Sequence, residues 1–346
     1  MSSRGLRKLG RSGLQVSPLC LGAMNFGNEQ FGCDEETSIG IINAYLDIGH
    51  NFIDTANVYA GTKSETIVGK AVKGRRDSVV IATKAASALG PGPFESGTSR
   101  KHVMWAVEDS LRRLDTDYID LYQMHRYDDT PVEETLSTLN DLVRAGKVRY
   151  IGVSNWPASQ ITEAAMITQV KGWEPLISLQ PQYSILARDI EVEILPVCRR
   201  FGLGIIPYSP LAGGMLTGKY KKGEEPGEGT RFAAPGPFQQ FWRARAQSER
   251  NHAIMQVVLD EAGKLDISPI ALALSWNLSR PGVVSPIIGP KSVKQLEDNV
   301  AALDVTLPAE TVERIDAASE PRYPYPHDFV RMWQQMAVQM QAQAAR

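Results

Sequence analysis

Short apolar runs alternate with longer amphipathic segments along most of this 346-residue chain. This alternation predicts parallel strands that are joined by right-handed helical crossovers. Eight runs have the length and composition of buried strands: Leu19–Leu21, Asn51–Asp54, Val79–Thr83, Ile119–Gln123, Arg149–Val153, Leu176–Gln180, Gly204–Pro207 and Val284–Ile288. Eight strand–helix units favour a closed (β/α)8 TIM barrel over an open sheet.

The segments between these runs have helical periodicity and recognisable ends. The clearest are Glu36–Ile48, Ser99–Leu114, Pro131–Ala145, Pro157–Gln169 and Ile190–Phe201. Thr130, followed by Pro131 and Glu133, predicts an N-cap with a capping box. Ser268 before Pro269 predicts another helix start. Gly146 is suited to end a helix in the left-handed region.

We predict one domain over residues 1–346, because no linker separates a second one. The barrel core covers about residues 6–307. The alternating pattern of Arg4–Ser17 predicts a hairpin that closes the bottom of the barrel. The Gly- and Pro-rich stretch at 211–250 has the length of a functional loop. The C-terminal tail, residues 320–346, carries an apolar helical stripe formed by Phe329, Trp333, Met336 and Met340. Such a stripe must be buried, either on its own barrel or, as we favour, in a homo-oligomer.

Composition excludes several classes of function. The net charge of −2 argues against a nucleic-acid partner. The sequence has no run of about 18 apolar residues, so no membrane span is predicted. The basic N-terminal segment is not followed by the apolar segment typical of a secretory signal. Cys20, Cys33 and Cys198 have no paired spacing, which favours reduced thiols and a cytoplasmic location. The five histidines do not have the spacing of a metal site.

Two known motifs match the sequence only in part. Gly213–Tyr220 resembles a phosphate-binding loop but puts Tyr220 where a magnesium-binding Ser or Thr is needed. Tyr59 and Lys63 have the spacing of a short-chain dehydrogenase pair, but no glycine-rich dinucleotide turn follows the first strand.

Polar residues end three neighbouring strands on the face where barrels carry their chemistry. Asp54 ends the second strand, Tyr59 follows it, Lys84 ends the third and His125 follows the fourth. Asp54 can pair with Lys84, and the lysine is expected to lower the pKa of the Tyr59 phenol. These residue types suit a general acid with an orienting histidine.

Several segments of the chain together resemble the aldo-keto reductases, in the order typical of that family. They are Phe52–Tyr59, Val80–Lys84, Asp120–Arg126, Ile151–Trp156, Tyr208–Gly214 and Ile287–Lys291. The loop Gly90–Gly97 and the segment that follows it resemble the bacterial branch related to potassium-channel β subunits. The resemblance covers Leu6 to about Leu307 and implies an NADP-dependent reduction of a carbonyl group.

The resemblance also implies the roles of individual residues. Tyr59 would donate a proton to the carbonyl oxygen, Lys84 and Asp54 would tune Tyr59, and His125 would orient the substrate. No metal is implied. The implied cofactor-binding residues are Ala23, Met24, Asp54, Ser154, Asn155, Gln180, Tyr208, Ser209, Leu211, Gly213, Lys219, Arg231, Gly289, Lys291, Gln295 and Asn299. Lys291, with Arg231, favours NADPH over NADH, although NADH is not excluded.

Three functions remain open from the sequence. The first is an NADPH-dependent reductase of a small aldehyde, ketone or sugar. The second is a redox-sensing regulatory subunit that binds NADPH with little turnover. The third is an NAD(P)-dependent sugar or alcohol dehydrogenase. The substrate pocket is expected among Phe26, Tyr59, Trp156 and the stretches Ala88–Phe94 and Phe232–Trp242, which do not identify the substrate.

Overall fold

Ten strands lie within the residues that the computed structural model describes, 5–236, 240–241, 243–244 and 247–344. They are β1 (Arg7–Lys8), β2 (Gln15–Val16), β3 (Cys20–Gly22), β4 (Phe52–Asp54), β5 (Val80–Ala85), β6 (Ile119–Met124), β7 (Val148–Ser154), β8 (Leu176–Gln180), β9 (Gly204–Ile205) and β10 (Ile287–Ile288). The last eight form one parallel sheet in the order β10-β3-β4-β5-β6-β7-β8-β9.

The two ends of this sheet meet. Ile205 in β9 forms a parallel bridge with Val283, and the backbone N–H of Ile287 donates to the carbonyl of Pro207 (2.8 Å). The predicted (β/α)8 barrel is therefore confirmed, with strand bounds that differ by a few residues. The largest difference is at Val284–Ile288, where only the last two residues form the regular strand.

Helices surround the barrel. They are α1 (Glu35–Asp47), α2 (Lys63–Val72), α3 (Arg100–Leu114), α4 (Val132–Arg144), α5 (Ala158–Lys171), α6 (Ile194–Phe201), α7 (Glu249–Lys264), α8 (Pro269–Leu278), α9 (Val293–Val300), α10 (Ala309–Ala318) and α11 (His327–Ala344). The predicted cap at Ser268 is confirmed, because its side chain accepts from Ala271 N. Gly146 follows α4 with a φ of 74°.

The predicted capping box at Thr130 is wrong. Helix α4 starts one residue later than that motif requires, with Pro131 at the N-cap and no side-chain cap. The backbone N–H of Thr130 instead donates to Asp128 Oδ1 (3.0 Å). The carboxylate of Asp128 therefore holds this loop in a different conformation from a capping box.

The side chains of the barrel strands divide into two cores, as the two faces of a pleated strand require. Residues that alternate along the strands fill the barrel interior, among them Phe52, Leu121 and Ile177. Their neighbours in the sequence, such as Ile53, pack outward against the helices. Because both faces of each strand are buried in this way, the strand runs contain few polar residues.

The N-terminal hairpin closes the bottom of the barrel, as predicted. Strands β1 and β2 pair antiparallel, and Leu9 and Val16 are fully buried in the interior core. Gly10 has a φ of 59°, and a Cβ atom there would lie 2.4 Å from the carbonyl oxygen of Ile177. The close approach of this turn to the sheet thus requires glycine.

The long loop after β9 has a small hydrophobic core of its own. Met215, Tyr220 and Phe232 are buried together, and the rings of Tyr220 and Phe232 lie 4.7 Å apart. This loop, residues 209–236, therefore folds as a compact unit, and we call it the strap. Part of the predicted pocket stretch Phe232–Trp242, residues 237–239 and 242, lies outside the described residues.

The C-terminal tail forms helix α11, whose apolar stripe is exposed to solvent. Phe329 is 50% exposed and Met340 is 67% exposed. His327 Nε2 lies 3.0 Å from Glu193 Oε1 and joins the start of the helix to the barrel. The alternative in which the stripe packs on its own barrel is therefore not what this chain adopts. No helix in the described ranges is long and apolar enough to cross a membrane.

Candidate functional site

The centre of the site is the ammonium group of Lys84, which lies on β5 and is fully buried. Its Nζ donates to Asp54 Oδ1 (2.5 Å) and to the carbonyl oxygen of Thr55 (2.7 Å). The third contact of Nζ is Tyr59 Oη at 3.3 Å. An ammonium has three N–H donors, so these three acceptors satisfy it completely. The structure thus brings Asp54, Tyr59 and Lys84 together.

Two glutamines hold the other oxygen of Asp54. Gln180 Nε2 donates to Asp54 Oδ2 (2.8 Å) and Gln123 Nε2 donates to the same oxygen (3.2 Å). Gln123 was not predicted from the sequence, where its signal is an amide in an otherwise apolar strand. Gln180 was predicted to bind the cofactor, whereas here its side-chain N–H group supports the carboxylate.

Tyr59 lies at the start of a tight turn between β4 and α2. Ala60 and Thr62 have φ values of 49° and 79°, which non-glycine residues rarely adopt. This strained backbone brings the phenol ring within 4.9 Å of Lys84 Nζ and sets it edge-on to His125 at 5.7 Å between ring centroids. Strain of this kind is common at functional sites.

The expectation of a lowered pKa for Tyr59 is wrong. Burial raises the pKa of the phenol, and the nearby charge of Lys84 offsets only part of this rise. For Lys84 the order is reversed: burial lowers its pKa, but Asp54 and Tyr59 raise it by more. Both groups therefore hold their protons at neutral pH, with tyrosine as a neutral phenol beside a charged ammonium.

His125 directly follows β6 and is neutral. Burial, together with the charges of Lys84 and Arg126, lowers its pKa to about 3. Its backbone N–H donates to Ala85 O (2.8 Å), and its Nδ1 lies 3.2 Å from Ser87 Oγ. Ser87 was not predicted from the sequence, where its only signal is a hydroxyl residue in the loop after β5.

The residues expected at the nicotinamide end lie beside this group and form one network. Ser154 Oγ donates to Gln180 O (2.8 Å), and Asn155 Nδ2 donates to Ser154 Oγ and to His125 O (both 3.0 Å). Tyr208 Oη donates to Asn155 Oδ1 (2.9 Å). A cavity of about 330 Å³ opens next to this network and is lined by Tyr127, Asn155, Trp156, Pro157, Pro181, Gln182, Ala187, Asp189, Ile190, Ile194 and Tyr208.

The strap carries backbone conformations that suit close approach to a ligand. Ser209, Gly213 and Gly214 all have positive φ values, and Leu211 precedes this turn. A Cβ on Gly214 would lie 2.8 Å from Lys219 Cε, so Lys219 folds back over the glycine pair. Without side chains at these glycines, backbone groups remain accessible to an anion.

Three cations of the strap and the last barrel segment lie near one another. Burial lowers the pKa of Lys291, and the charges of Lys219 and Arg231 lower it further. Burial also lowers the pKa of Arg231, whose guanidinium carbon lies 6.0 Å from the Phe31 ring. Within the described part of the chain, none of these cations forms an ion pair with a carboxylate. This grouping is suited to bind an anion such as phosphate.

The remaining predicted cofactor residues lie in two places, one near Lys84 and its partners and the other near the three cations. Ala23 and Met24 follow β3, and Ser64 Oγ at the start of α2 donates to Ala23 O (2.8 Å). At the other end, Lys291 N donates to Gln295 Oε1 (2.9 Å) and Lys291 Nζ donates to Gly229 O (3.1 Å).

Gly289 and Asn299 flank that second group. Asn25 Nδ2 donates to Gly289 O (2.8 Å), and Asn299 is buried in α9. Among the residues that the structure describes, no three His, Cys, Asp or Glu side chains are arranged to hold a metal ion.

The profile of the Aldo/keto reductase family matches residues 18–320. The chain belongs to the aldo/keto reductase family. This aldo/keto reductase is 39% identical over 321 residues to a protein of Oryza sativa subsp. japonica named as a probable voltage-gated potassium channel subunit beta, across 90% of this chain and 95% of that relative.

Two further relatives have the names of enzymes. An uncharacterized oxidoreductase of Bacillus subtilis is 38% identical over 322 residues, across 89% of this chain and 94% of its own. A putative aryl-alcohol dehydrogenase of Schizosaccharomyces pombe is 36% identical over 348 residues, across 92% and 95% of the two chains. This aldo/keto reductase is therefore an oxidoreductase of the class that interconverts carbonyls and alcohols.

The buried pair of Lys84 and Asp54 gives a stability prediction. Asp54→Asn leaves the ammonium of Lys84 without its anionic partner, so we expect the free energy of unfolding to fall by about 3–5 kcal/mol. Asp54→Asn with Lys84→Met removes both charges and should recover most of that loss. Urea unfolding followed by circular dichroism measures both.

The exposed pair of Lys294 and Asp298 provides the control. Asp298→Asn should change the free energy of unfolding by less than about 1 kcal/mol. If the Asp54→Asn variant is as stable as the wild type, the buried charge of Lys84 does not need Asp54 to stabilise it.

Proposed function

We propose that this protein is an NADPH-dependent reductase of small carbonyl compounds in which Tyr59 is the proton donor. One observation carries the proposal: a neutral phenol contacts a fully buried, charged lysine and lies edge-on to a neutral histidine. A phenol that keeps its proton at neutral pH and has a cation beside its oxygen is a general acid whose conjugate base is stabilised.

The residues present fit a reduced dinucleotide with a 2′-phosphate. Ser154, Asn155 and Tyr208 form a polar platform beside the catalytic group, suited to a nicotinamide carboxamide and ring. Arg231 is a partly buried cation without a carboxylate partner among the described residues, and it shares its surroundings with Lys219 and Lys291. Such a group of cations is stabilised by the phosphates of a ligand. When bound, NADPH supplies the hydride for the carbonyl carbon.

The chain's own residues bind the carbonyl and supply the proton. The carbonyl oxygen would accept hydrogen bonds from Tyr59 Oη and from the imidazole of His125. Tyr59 gives up its proton to the oxygen as the alcohol forms, and Lys84 Nζ at 3.3 Å stabilises the resulting phenolate. Asp54, held by both glutamines, keeps Lys84 in place.

The substrate is proposed to be a small aldehyde, ketone or sugar. Tyr127, Trp156 and Tyr208 provide aromatic walls, and Asn155 and Gln182 provide polar groups, to the cavity of about 330 Å³. Asn155 also donates to the carbonyl oxygen of His125, which connects the wall of this cavity to His125. Aromatic walls with a few amides suit the faces and hydroxyl groups of a sugar ring. Cys20 and Cys198 are buried free thiols, which supports a reducing compartment and a cytoplasmic location.

Two alternatives use the same site. The likeness to a relative named as a potassium channel subunit favours a regulatory NADPH-binding protein with slow turnover. The likeness to a relative named as an aryl-alcohol dehydrogenase favours the oxidative direction with NADP⁺ or NAD⁺. Measuring absorbance at 340 nm with aldehydes, ketones and sugars, and then with alcohols and oxidised cofactor, distinguishes turnover in either direction from binding alone.

One prediction concerns the proton donor. Tyr59→Phe should lower the turnover of carbonyl reduction by about 10²-fold or more, the usual effect of losing a general acid, with an unchanged Kd for NADPH. Tyr118→Phe, which removes a phenol next to the start of β6 at the opposite end of the barrel, is the control and should remain active. Turnover of Tyr59→Phe close to that of the wild type would exclude the acid role.

The pH dependence follows from the same pKa shifts. Reduction requires the proton on Tyr59, and its raised pKa means that this proton is lost only in strongly alkaline solution. His125, with a pKa of about 3, does not titrate near neutrality. Reductive kcat/KM should therefore be constant from about pH 5 to about pH 9 and should fall at higher pH.

A further prediction concerns the 2′-phosphate. Lys291→Ala should raise the Kd for NADPH by about 10- to 150-fold, because a charge-assisted contact contributes about 1.5–3 kcal/mol, and should change the Kd for NADH much less. Lys294→Ala, three residues along and paired with Asp298, is the matched control. Equal effects of Lys291→Ala on both cofactors would rule out this role for Lys291. Quenching of intrinsic fluorescence measures both constants.

The last prediction of this subsection concerns the tail, which we propose joins copies of this chain in a homo-oligomer. Seven large apolar side chains on α11 are at least 44% exposed, and an apolar surface of this kind favours association. Deletion of the residues after Pro326 should reduce the assembly state, as should Trp333→Glu in the full-length chain. Light scattering gives the mass in solution. An unchanged mass in both variants, or a monomeric wild type, would refute the interface.

A further inference from the structure

The loop after β5 brings the hydroxyl group of Ser87 close to Nδ1 of His125. Ser87 Oγ lies 3.2 Å from His125 Nδ1 and is the only partner that the described residues provide for this nitrogen. Ser87 belongs to none of the catalytic or cofactor-binding groups assigned above. Its contact with His125 therefore calls for an explanation within the proposed reaction.

The backbone around Ser87 is built to hold this contact. Ala86 is fully buried and has a φ of 98°, which an alanine adopts only when its surroundings enforce it. The carbonyl of Ala86 accepts from Gly97 N (2.9 Å), and the carbonyl of Ala85 accepts from His125 N (2.8 Å). Ser87 and His125 are thus fixed relative to each other by hydrogen bonds on adjacent residues.

Asp128 joins the two loops a second time. Its carboxylate accepts from Thr98 N (2.8 Å) and Thr98 Oγ1 (2.6 Å), so the loop after β6 is tied to the end of the loop that carries Ser87. Two separate sets of hydrogen bonds therefore hold the loop of Ser87 against the loop of His125. One joins His125 N to Ala85 O, and the other joins Thr98 to Asp128.

The direction of this hydrogen bond determines what His125 can offer to a substrate. A neutral imidazole has one N–H donor and one acceptor nitrogen. If the serine hydroxyl donates to Nδ1, the proton of the ring is on Nε2, which then acts as a donor. A carbonyl oxygen only accepts hydrogen bonds, so a reductase of carbonyls needs this tautomer.

We propose that Ser87 is a positioning residue that donates its hydroxyl proton to His125 Nδ1, fixes the Nε2–H tautomer and so aims an N–H donor at the carbonyl oxygen. The inference rests on the proposed function for its catalytic consequence. Its structural part, the tautomer of the free protein, can be measured without any substrate.

The experiment combines nitrogen NMR with kinetics. In protein labelled with ¹⁵N-histidine, the signals of His125 are identified by their loss in His125→Gln, and their chemical shifts report which nitrogen carries the proton. The wild type should show the Nε2–H tautomer. Ser87→Ala should show a mixture of both tautomers, and Ser87→Thr, which keeps the hydroxyl, should retain the wild-type form.

The kinetic arm tests the consequence. Ser87→Ala should lower kcat by about 3- to 10-fold, the effect of one neutral hydrogen bond, with an unchanged Kd for NADPH. Ser87→Thr should recover most of this loss. Ser78→Ala, which removes an exposed hydroxyl at the other end of β5, is the control and should match the wild type.

An Nδ1–H tautomer in the wild type, or the same tautomer in Ser87→Ala as in the wild type, would overturn the proposal. A normal kcat in Ser87→Ala despite a changed tautomer would overturn its catalytic part. Failure of the proposed function has a different signature: no carbonyl substrate is turned over, or Tyr59→Phe stays active, while the tautomer measurements still give their result.

Discussion

The ammonium of Lys84 is fully buried, and the free energy of burying a charge is recovered only when all its N–H groups find acceptors. Those acceptors come from β4 and the turn after it. Asp54, the anionic acceptor, is buried as well and takes hydrogen bonds from β6 and β8. One charge thus constrains the relative positions of four strands at the rim. The same charge contributes to keeping His125 neutral and stabilises a phenolate on Tyr59.

The strands, and the meeting of Asp54, Tyr59 and Lys84 at one end of the barrel, could be predicted because both depend on simple patterns. Apolar runs of strand length predict the barrel, and the register of parallel strands puts their last residues on one face. The sign of the pKa shift of Tyr59 could not be predicted. The sequence shows that a cation is near, but not how deeply the phenol is buried, and burial has the larger effect. Ser87 was missed because its position depends on the unusual backbone of Ala86.

The three cations proposed to bind the cofactor show what the resemblance to a family adds and what the structure adds to it. Lys219, Arg231 and Lys291 come from distant parts of the sequence, and no local pattern links them. The resemblance singled out the three residues, and the structure adds that they influence one another while the described residues provide no carboxylate to any of them. Cations held together in this way repel one another, so a bound anion would relieve a cost that the fold carries without it.

The way in which the barrel closes has a consequence during synthesis. Strand β3, close to the start of the chain, pairs on one side with β10, and the hydroxyl of Ser285 donates to the carbonyl of Ser17 across 268 positions of sequence. Until residue 288 has left the ribosome, β3 has an unpaired edge and the interior core lacks one wall. Contacts of such high sequence separation form slowly, and open edges promote aggregation. The exposed edge of β3 is therefore open to aggregation during synthesis until the last strand completes the ring.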